Sequence, residues 1–303
     1  MHAHDHAPDA IDRAGRALGI GIALNLGFVI VEVVAGILGQ SMALLADAAH
    51  NLGDVLGLVL AWGANRLTRR LASSRFSYGL GSSTILAALV NGTTLLLVSL
   101  WILWEAGMRL ADPPAVHGMV VIGVALAGVL VNTATAWLLL SGQKDDLNLR
   151  GAFLHMAADA AVSVAVAISG LLVLLTGIAR IDPILGMVVS LVILVPAAGL
   201  VWRSLQLVLH GVPESIDLDD VARFLEEQPG VASQHHLHVW ALSTRETALS
   251  VHLVMPDPPA DPDAFLWELQ EELLERFAIR HATIQLEQGR YPCPIDRHEP
   301  TPG

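Results

Sequence analysis

Six apolar stretches, at about 16–38, 43–66, 82–106, 116–141, 151–177 and 182–208, are each long enough to cross a bilayer, and they commit most of this chain to a helical membrane fold. A span needs roughly 20 mostly apolar residues, because the hydrocarbon core is roughly 30 Å thick and a helix rises roughly 1.5 Å per residue. Helix is the form expected, since every backbone N–H and C=O must find its partner inside the segment. The separators read as turns: Gly39-Gln40-Ser41, the arginine-bearing segment 66–81, Asp112-Pro113-Pro114, the polar run SGQKDDLNLR at 141–150, and Arg180 to Pro183. Composition agrees, with 53% hydrophobic and 15% charged residues, where soluble domains are about 45–50% apolar.

Beyond residue 210 the solvent changes. Four regions are expected: a flexible His-containing N-terminus at 1–15, a six-helix transmembrane domain at 16–210, a small cytoplasmic domain at 211–290 and a flexible tail at 291–303. DLDDVARFLEEQPG has helical spacing closed by Pro-Gly, VASQHHLHVWALS and TALSVHLVMP alternate as strands, DPDAFLWELQEELLERF is a second helix and HATIQLE a last strand. The order αββαβ predicts a compact two-layer α+β domain. A domain this small often gains stability from a partner.

An even number of spans places both termini on one side. Arg13, Arg16, Arg66, Arg69, Arg70, Arg75, Lys144 and Arg150 fall on the terminal side, against Arg109 and Arg180 on the other, so the termini and the acidic tail are expected in the cytoplasm. A net charge of −12 with no basic cluster excludes a nucleic-acid surface. One cysteine, Cys293, excludes an intramolecular disulfide and a thiolate cluster, and it reads as an incidental free thiol.

Two matching motifs stand in this apolar background: HNLGD at 50–54 and HMAAD at 155–159. Residues four apart share a helix face, so His50 with Asp54, and His155 with Asp159, can each converge on a point. If the second and fifth helices face each other, the pairs supply two imidazole nitrogens and two carboxylate oxygens. That set suits tetrahedral Zn²⁺ and suits the oxygen-seeking Mg²⁺ and Ca²⁺ poorly, while Co²⁺ and Cd²⁺ stay open. An aspartate at mid-membrane costs roughly 2.5–3.5 kcal/mol on insertion scales, so two such pairs point to function. Two carboxylates balance a divalent cation, and an emptied site takes up protons instead, so metal and proton compete for the same groups. Antiport is the mechanism this arithmetic predicts.

LLADAAHNLGDVLGL, GAFLHMAADAAVSV, RFSYGLG, HLHVWALS, LSVHLV and HATIQLE together resemble the cation diffusion facilitator family of zinc, cadmium and cobalt efflux transporters, from about Arg16 to Glu287. The resemblance implies a homodimer of six-helix protomers with cytoplasmic ferredoxin-like domains, exporting Zn²⁺ against protons; the short loops and Arg-rich, Lys-poor composition fit a bacterial inner membrane. It maps His50, Asp54, His155 and Asp159 onto the transport site, with His50 favouring zinc or cadmium. Asp47 matches the LADAxH run, as a gating carboxylate or an interhelical hydrogen bond. Glu32 and Asn25 also fall at family-typical places.

The resemblance further implies a regulatory zinc site built by His235, His252 and Glu287, against the plainer reading of strand histidines at a dimer interface. By strand alternation His236 and His238 face one way and His235 the other. Phe76 and Leu80 stand where some relatives place loop ligands, so no metal site is expected there. His2, His4 and His6 with Asp5 could capture metal weakly. No prosthetic group is called for; Zn²⁺ enters as cargo and regulatory ligand, with protons, lipid and a second copy of the chain as partners. Two other readings stay open: a membrane-embedded zinc enzyme, which would need a motif such as HExxH that the chain lacks, and a membrane-anchored metal sensor.

Overall fold

The computed structural model describes residues 25–139, 147–291 and 293. The His2, His4, His6 cluster, the first part of the first expected span and Lys144 lie outside the described residues. Among the described residues the membrane part comprises α1 (Asn25–Leu38), α2 (Met42–Thr68), α3 (Ser83–Ala111), α4 (Gly118–Leu139), α5 (Leu147–Thr176) and α6 (Ile181–Val208). Helices α2 to α6 are each long and apolar enough to cross a membrane. The fifth helix begins four residues earlier than its apolar stretch, since Leu and Arg in LNLR are good helix formers. The sixth absorbs the expected Arg180–Pro183 turn, because Pro183 falls in a first turn where an amide has no helical partner to lose.

The chain divides into two compact units, one running to Trp62 and again over Val90–Val201, the other comprising Gly63–Leu89 and everything from Trp202. In the first unit, α6 is fastened to the start of α2. The Asp182 carboxylate accepts the Ser41 hydroxyl and the Met42 amide, the latter at 2.6 Å. Ser41 in turn caps α2 by accepting the Leu44 amide at 3.1 Å. A buried carboxylate is stable there because the amides and dipole of a helix N-terminus face it.

In the second unit the α/β domain runs α7 (Leu218–Glu226), β1 (Ser233–Ala241), β2 (Thr247–Val254), α8 (Pro262–Phe277) and β3 (Ile279–Glu287). Asp217 and Asp261 cap the two helices, the second aided by Pro262 at the first helical position. The sheet order is β1-β2-β3, with β1 antiparallel and β3 parallel to β2. Leu249, Val251 and Leu253 of β2 alternate into a core with Val221, Phe224 and Leu225 of α7 and Leu269 and Leu273 of α8. Ser250 and His252 therefore point to the opposite face.

That alternation breaks once, and the break corrects the expectation for the β1 histidines. Val239 pairs with Leu249 and His238 with Ser250, but the register then shifts, and His235 rather than His236 pairs with His252. An extra residue is accommodated at His236, which takes a left-handed φ of 52°. Such a bulge flips the parity of everything beyond it. His235, which regular alternation would send toward the core, shares a face with His252 and His238.

The same unit joins the β1–β2 turn to the α2–α3 connection. Ser82 Oγ donates to Leu242 O at 3.2 Å, and the Thr244 amide donates to Thr84 Oγ1 at 3.0 Å. Tyr78 meets His281 edge-on at 5.9 Å. A Cβ on Gly81 would stand 2.8 Å from Leu242 O, so only glycine allows this approach.

Candidate metal centre

Helices α2 and α5 bring the two His/Asp pairs together. His50 Nε2 lies 2.8 Å from Asp159 Oδ1 and 4.0 Å from Asp54 Oδ2. His155 Nε2 lies 3.2 Å from Asp54 Oδ2 and 3.7 Å from Asp159 Oδ2. Each imidazole thus faces the carboxylate of the opposite helix as well as its own. A tetrahedral ion with bonds of about 2.0–2.1 Å separates its donors by about 3.3 Å. The observed spacings straddle that value: His50, His155 and Asp159 each bring one donor atom within 4.8 Å of the others, and Asp54 reaches this group through His155.

The centre has a floor and a mouth. Asp159 is 2% exposed and His50 25%, whereas Asp54 is 35% and His155 44% exposed. Asp54 is closer than His50 to the C-terminal end of α2, and His155 closer than Asp159 to the N-terminal end of α5, so the exposed donors are those nearest the α2–α3 connection.

Beneath the floor, Asp47 is buried one turn from His50, and its Oδ2 accepts the Ser163 hydroxyl of α5 at 3.1 Å. Ser163 lies one turn from Asp159, so this bond fixes the same two helices in the register that the donors need. Fully buried Glu32 of α1 accepts the Asn51 amide at 2.8 Å, tying α1 to the residue next to His50. Gly53, inside HNLGD, lets α3 approach: a Cβ there would stand 2.3 Å from Leu95 Cδ2. Asn51, Gly53 and Ser163 went unremarked in the sequence: Asn51 and Ser163 are marked only by their four-residue spacing from Asp47 and Asp159, and Gly53 only by its place inside HNLGD.

A second group of donors sits on the α/β domain, on the sheet face away from its helices. Glu287 at the end of β3 stands 3.2 Å from His235 Nε2 and 2.9 Å from His252 Nδ1. The His236 ring lies 5.1 Å from that of His235 and 5.3 Å from that of His252. Burial alone would raise the Glu287 carboxyl, yet the hydrogen bonds it accepts from His235 and Gln285, with the charge of His235 and His252, hold it below the ordinary carboxylate range. Cys293, read from sequence as an incidental free thiol, is a free cysteine, buried with its Sγ 3.9 Å from His252 Nδ1. His281 lies apart, against Tyr78.

The family model described as "Cation efflux transmembrane domain" matches residues 18–209, and "Cation efflux protein, cytoplasmic domain" matches 213–289. The chain is 38% identical to the zinc transporter ZitB of Escherichia coli, covering 96% of this chain and 93% of that protein. It is 37% identical to the metal cation efflux system protein CzcD of Cupriavidus metallidurans, covering 96% and 90%. A cadmium, cobalt and zinc/H(+)-K(+) antiporter of Bacillus subtilis is 34% identical, covering 90% and 88%. By these matches over nearly its whole length, and by the paired His/Asp donors on α2 and α5, the chain belongs to the cation diffusion facilitator family of membrane transporters.

Proposed function

We propose that this protein exports divalent transition-metal ions, chiefly Zn²⁺, from the cytoplasm in exchange for protons, and that His50, Asp54, His155 and Asp159 hold the ion in transit. The observation that carries this reading is the convergence of two imidazoles and two carboxylates from α2 and α5 at spacings of 2.8–4.0 Å. Four donors consumed by one ion leave no open coordination position for hydrolysis, which separates a carrier from a zinc enzyme. Relatives named for zinc transport and for cadmium, cobalt and zinc antiport support both the cargo and the coupling.

The exchange follows from charge. A divalent ion cancels the two aspartates, and when it leaves toward the far side, protons take over that role before the empty site returns. The exposed mouth at Asp54 and His155 supports reading this as the loading state. The α2–α3 connection, with its arginines, packs in one unit with the α/β domain, which supports a cytoplasmic mouth and cytoplasmic termini. With α1 read as the described part of the first apolar stretch, the membrane domain has six spans. The αββαβ order supports a ferredoxin-like domain, which pairs two protomers, as the family's cytoplasmic-domain assignment suggests, and binds a regulatory metal through His235, His252 and Glu287.

Zn²⁺ uptake into inverted membrane vesicles tests the reading. The native protein should fill vesicles acidified inside and slow when the pH gradient is collapsed; Asp54→Ala and Asp159→Ala should both be inactive at normal membrane abundance. Equal uptake by all three proteins would sink the transport site, and uptake indifferent to the gradient would sink the exchange.

A further inference from the structure

Cys293 lies past residue 289, where the match to the family's cytoplasmic domain ends. Nothing in that match accounts for a thiol folded back and buried against the sheet. It lies at the donor group described above: one donor atom each from His235, His252 and Cys293 all fall within 4.8 Å of one another. His252 Nδ1 is addressed by two neighbours at once, Glu287 Oε1 at 2.9 Å and Cys293 Sγ at 3.9 Å. A single ring nitrogen carries either one proton or one lone pair, so it can satisfy only one of them. A cation placed among the three would satisfy all.

We infer that Cys293 is the thiolate donor of a four-ligand metal site completed by His235, His252 and Glu287, selective for borderline-soft divalent ions such as Zn²⁺ and Cd²⁺. The inference rests on the reading that this domain binds a metal, and adds the sulfur. In a tetrahedral site with a metal–sulfur bond of about 2.3 Å and a metal–nitrogen bond of about 2.0 Å, sulfur and nitrogen stand about 3.5 Å apart, within a small side-chain rotation of the 3.9 Å found. On binding, the thiol proton passes to water and the sulfur–metal bond forms. Thiolate also sets the preference, since a nitrogen and oxygen set alone discriminates weakly among first-row ions. The ligands come from β1, β2, the end of β3 and the segment beyond it, so the ion would clamp that segment to the sheet.

The chain has one cysteine, which makes the test specific. The full-length protein in detergent is titrated with Cd²⁺ while the ultraviolet thiolate-to-cadmium charge-transfer band and the bound metal are measured. The band should saturate at one ion per protomer. Cys293→Ser should abolish it and weaken one class of bound ion by more than the roughly 10–100-fold that loss of an outer-shell partner costs. The double variant His235→Ala, His252→Ala should weaken the band's apparent affinity in parallel. Cadmium held by the domain without the band, with loss of binding in the histidine variant, would keep the domain site and overturn the thiolate. A band of unchanged affinity in the histidine variant would overturn the four-ligand site, leaving a thiol that binds alone. Failure of the protein to bind any ion beyond the one lost with Asp54→Ala would sink the domain site itself.

Discussion

At the scale of single residues, the proposed transport centre is held by groups outside its donor set. Ser163 donates to Asp47 across α2 and α5, one turn below the donors on both helices. Removing the hydroxyl leaves a buried carboxylate oxygen without its partner and lets the helices slip. Loss of an outer-shell partner typically costs about 10–100-fold in metal affinity. Ser163→Ala should therefore raise the Zn²⁺ concentration for half-maximal vesicle uptake by about tenfold, whereas Asp159→Ala should abolish uptake. In the α/β domain, Glu287 supplies a pH dependence of definite sign. Its carboxyl is held below the unfolded value of about 4.3, so at moderately acidic pH the unfolded chain takes up the proton first. The stabilisation is fully present above that value and lost as pH falls through the lower, folded one. Partly solvated ion pairs contribute about 1 kcal/mol or less. In metal-free protein, Glu287→Gln should flatten the acid-side decline in amide-exchange protection of β2 and β3 by that amount.

At the scale of elements, the helices and the donors they carry were legible because period and spacing are local properties of a sequence. HNLGD and HMAAD each place histidine and aspartate one turn apart whatever surrounds them, and a long apolar stretch has few alternatives to a membrane helix. The β1 histidines were not legible. Alternation is also local, but a single residue at a left-handed φ resets it, and QHHLH carries no glycine or asparagine to announce a bulge. Cys293 escaped for a related reason: its approach to His252 spans 41 positions and belongs to no periodic pattern. Gly53 shows the same limit in a helix, since its role is visible only in α3. With its Cβ 2.3 Å from Leu95 Cδ2, Gly53→Ala should displace the Leu95 side chain and reduce Zn²⁺ uptake. The cost is steric and therefore relievable: adding Leu95→Ala should restore much of the uptake, whereas a glycine needed for backbone freedom would show no rescue.

At the scale of the molecule, the second unit joins the sheet to the helix hairpin that begins where α2 ends. The connection runs through Ser82 to Leu242, Thr84 to Thr244, the close approach of Gly81 between them, and Tyr78 against His281. It lies at the turn end of β1 and β2, while His235 and His252 lie at the other end of the same paired strands. A metal that stiffens one end of a hydrogen-bonded pair would thus bias the position of the other, and through it the α2–α3 connection. Gly81 is the place to break this path without touching either donor set. A side chain there meets the Leu242 carbonyl, a backbone atom that cannot rotate away, so Gly81→Val should force the turn off the hairpin. Amide exchange at Thr244 should rise, because its Thr84 acceptor is lost, while Zn²⁺ binding by the detergent-solubilised protein stays native. Transport should then lose whatever dependence on cytoplasmic Zn²⁺ the domain confers. Rapid Thr244 exchange with that dependence unaltered would mean that the metal acts by another route, between protomers rather than along the sheet.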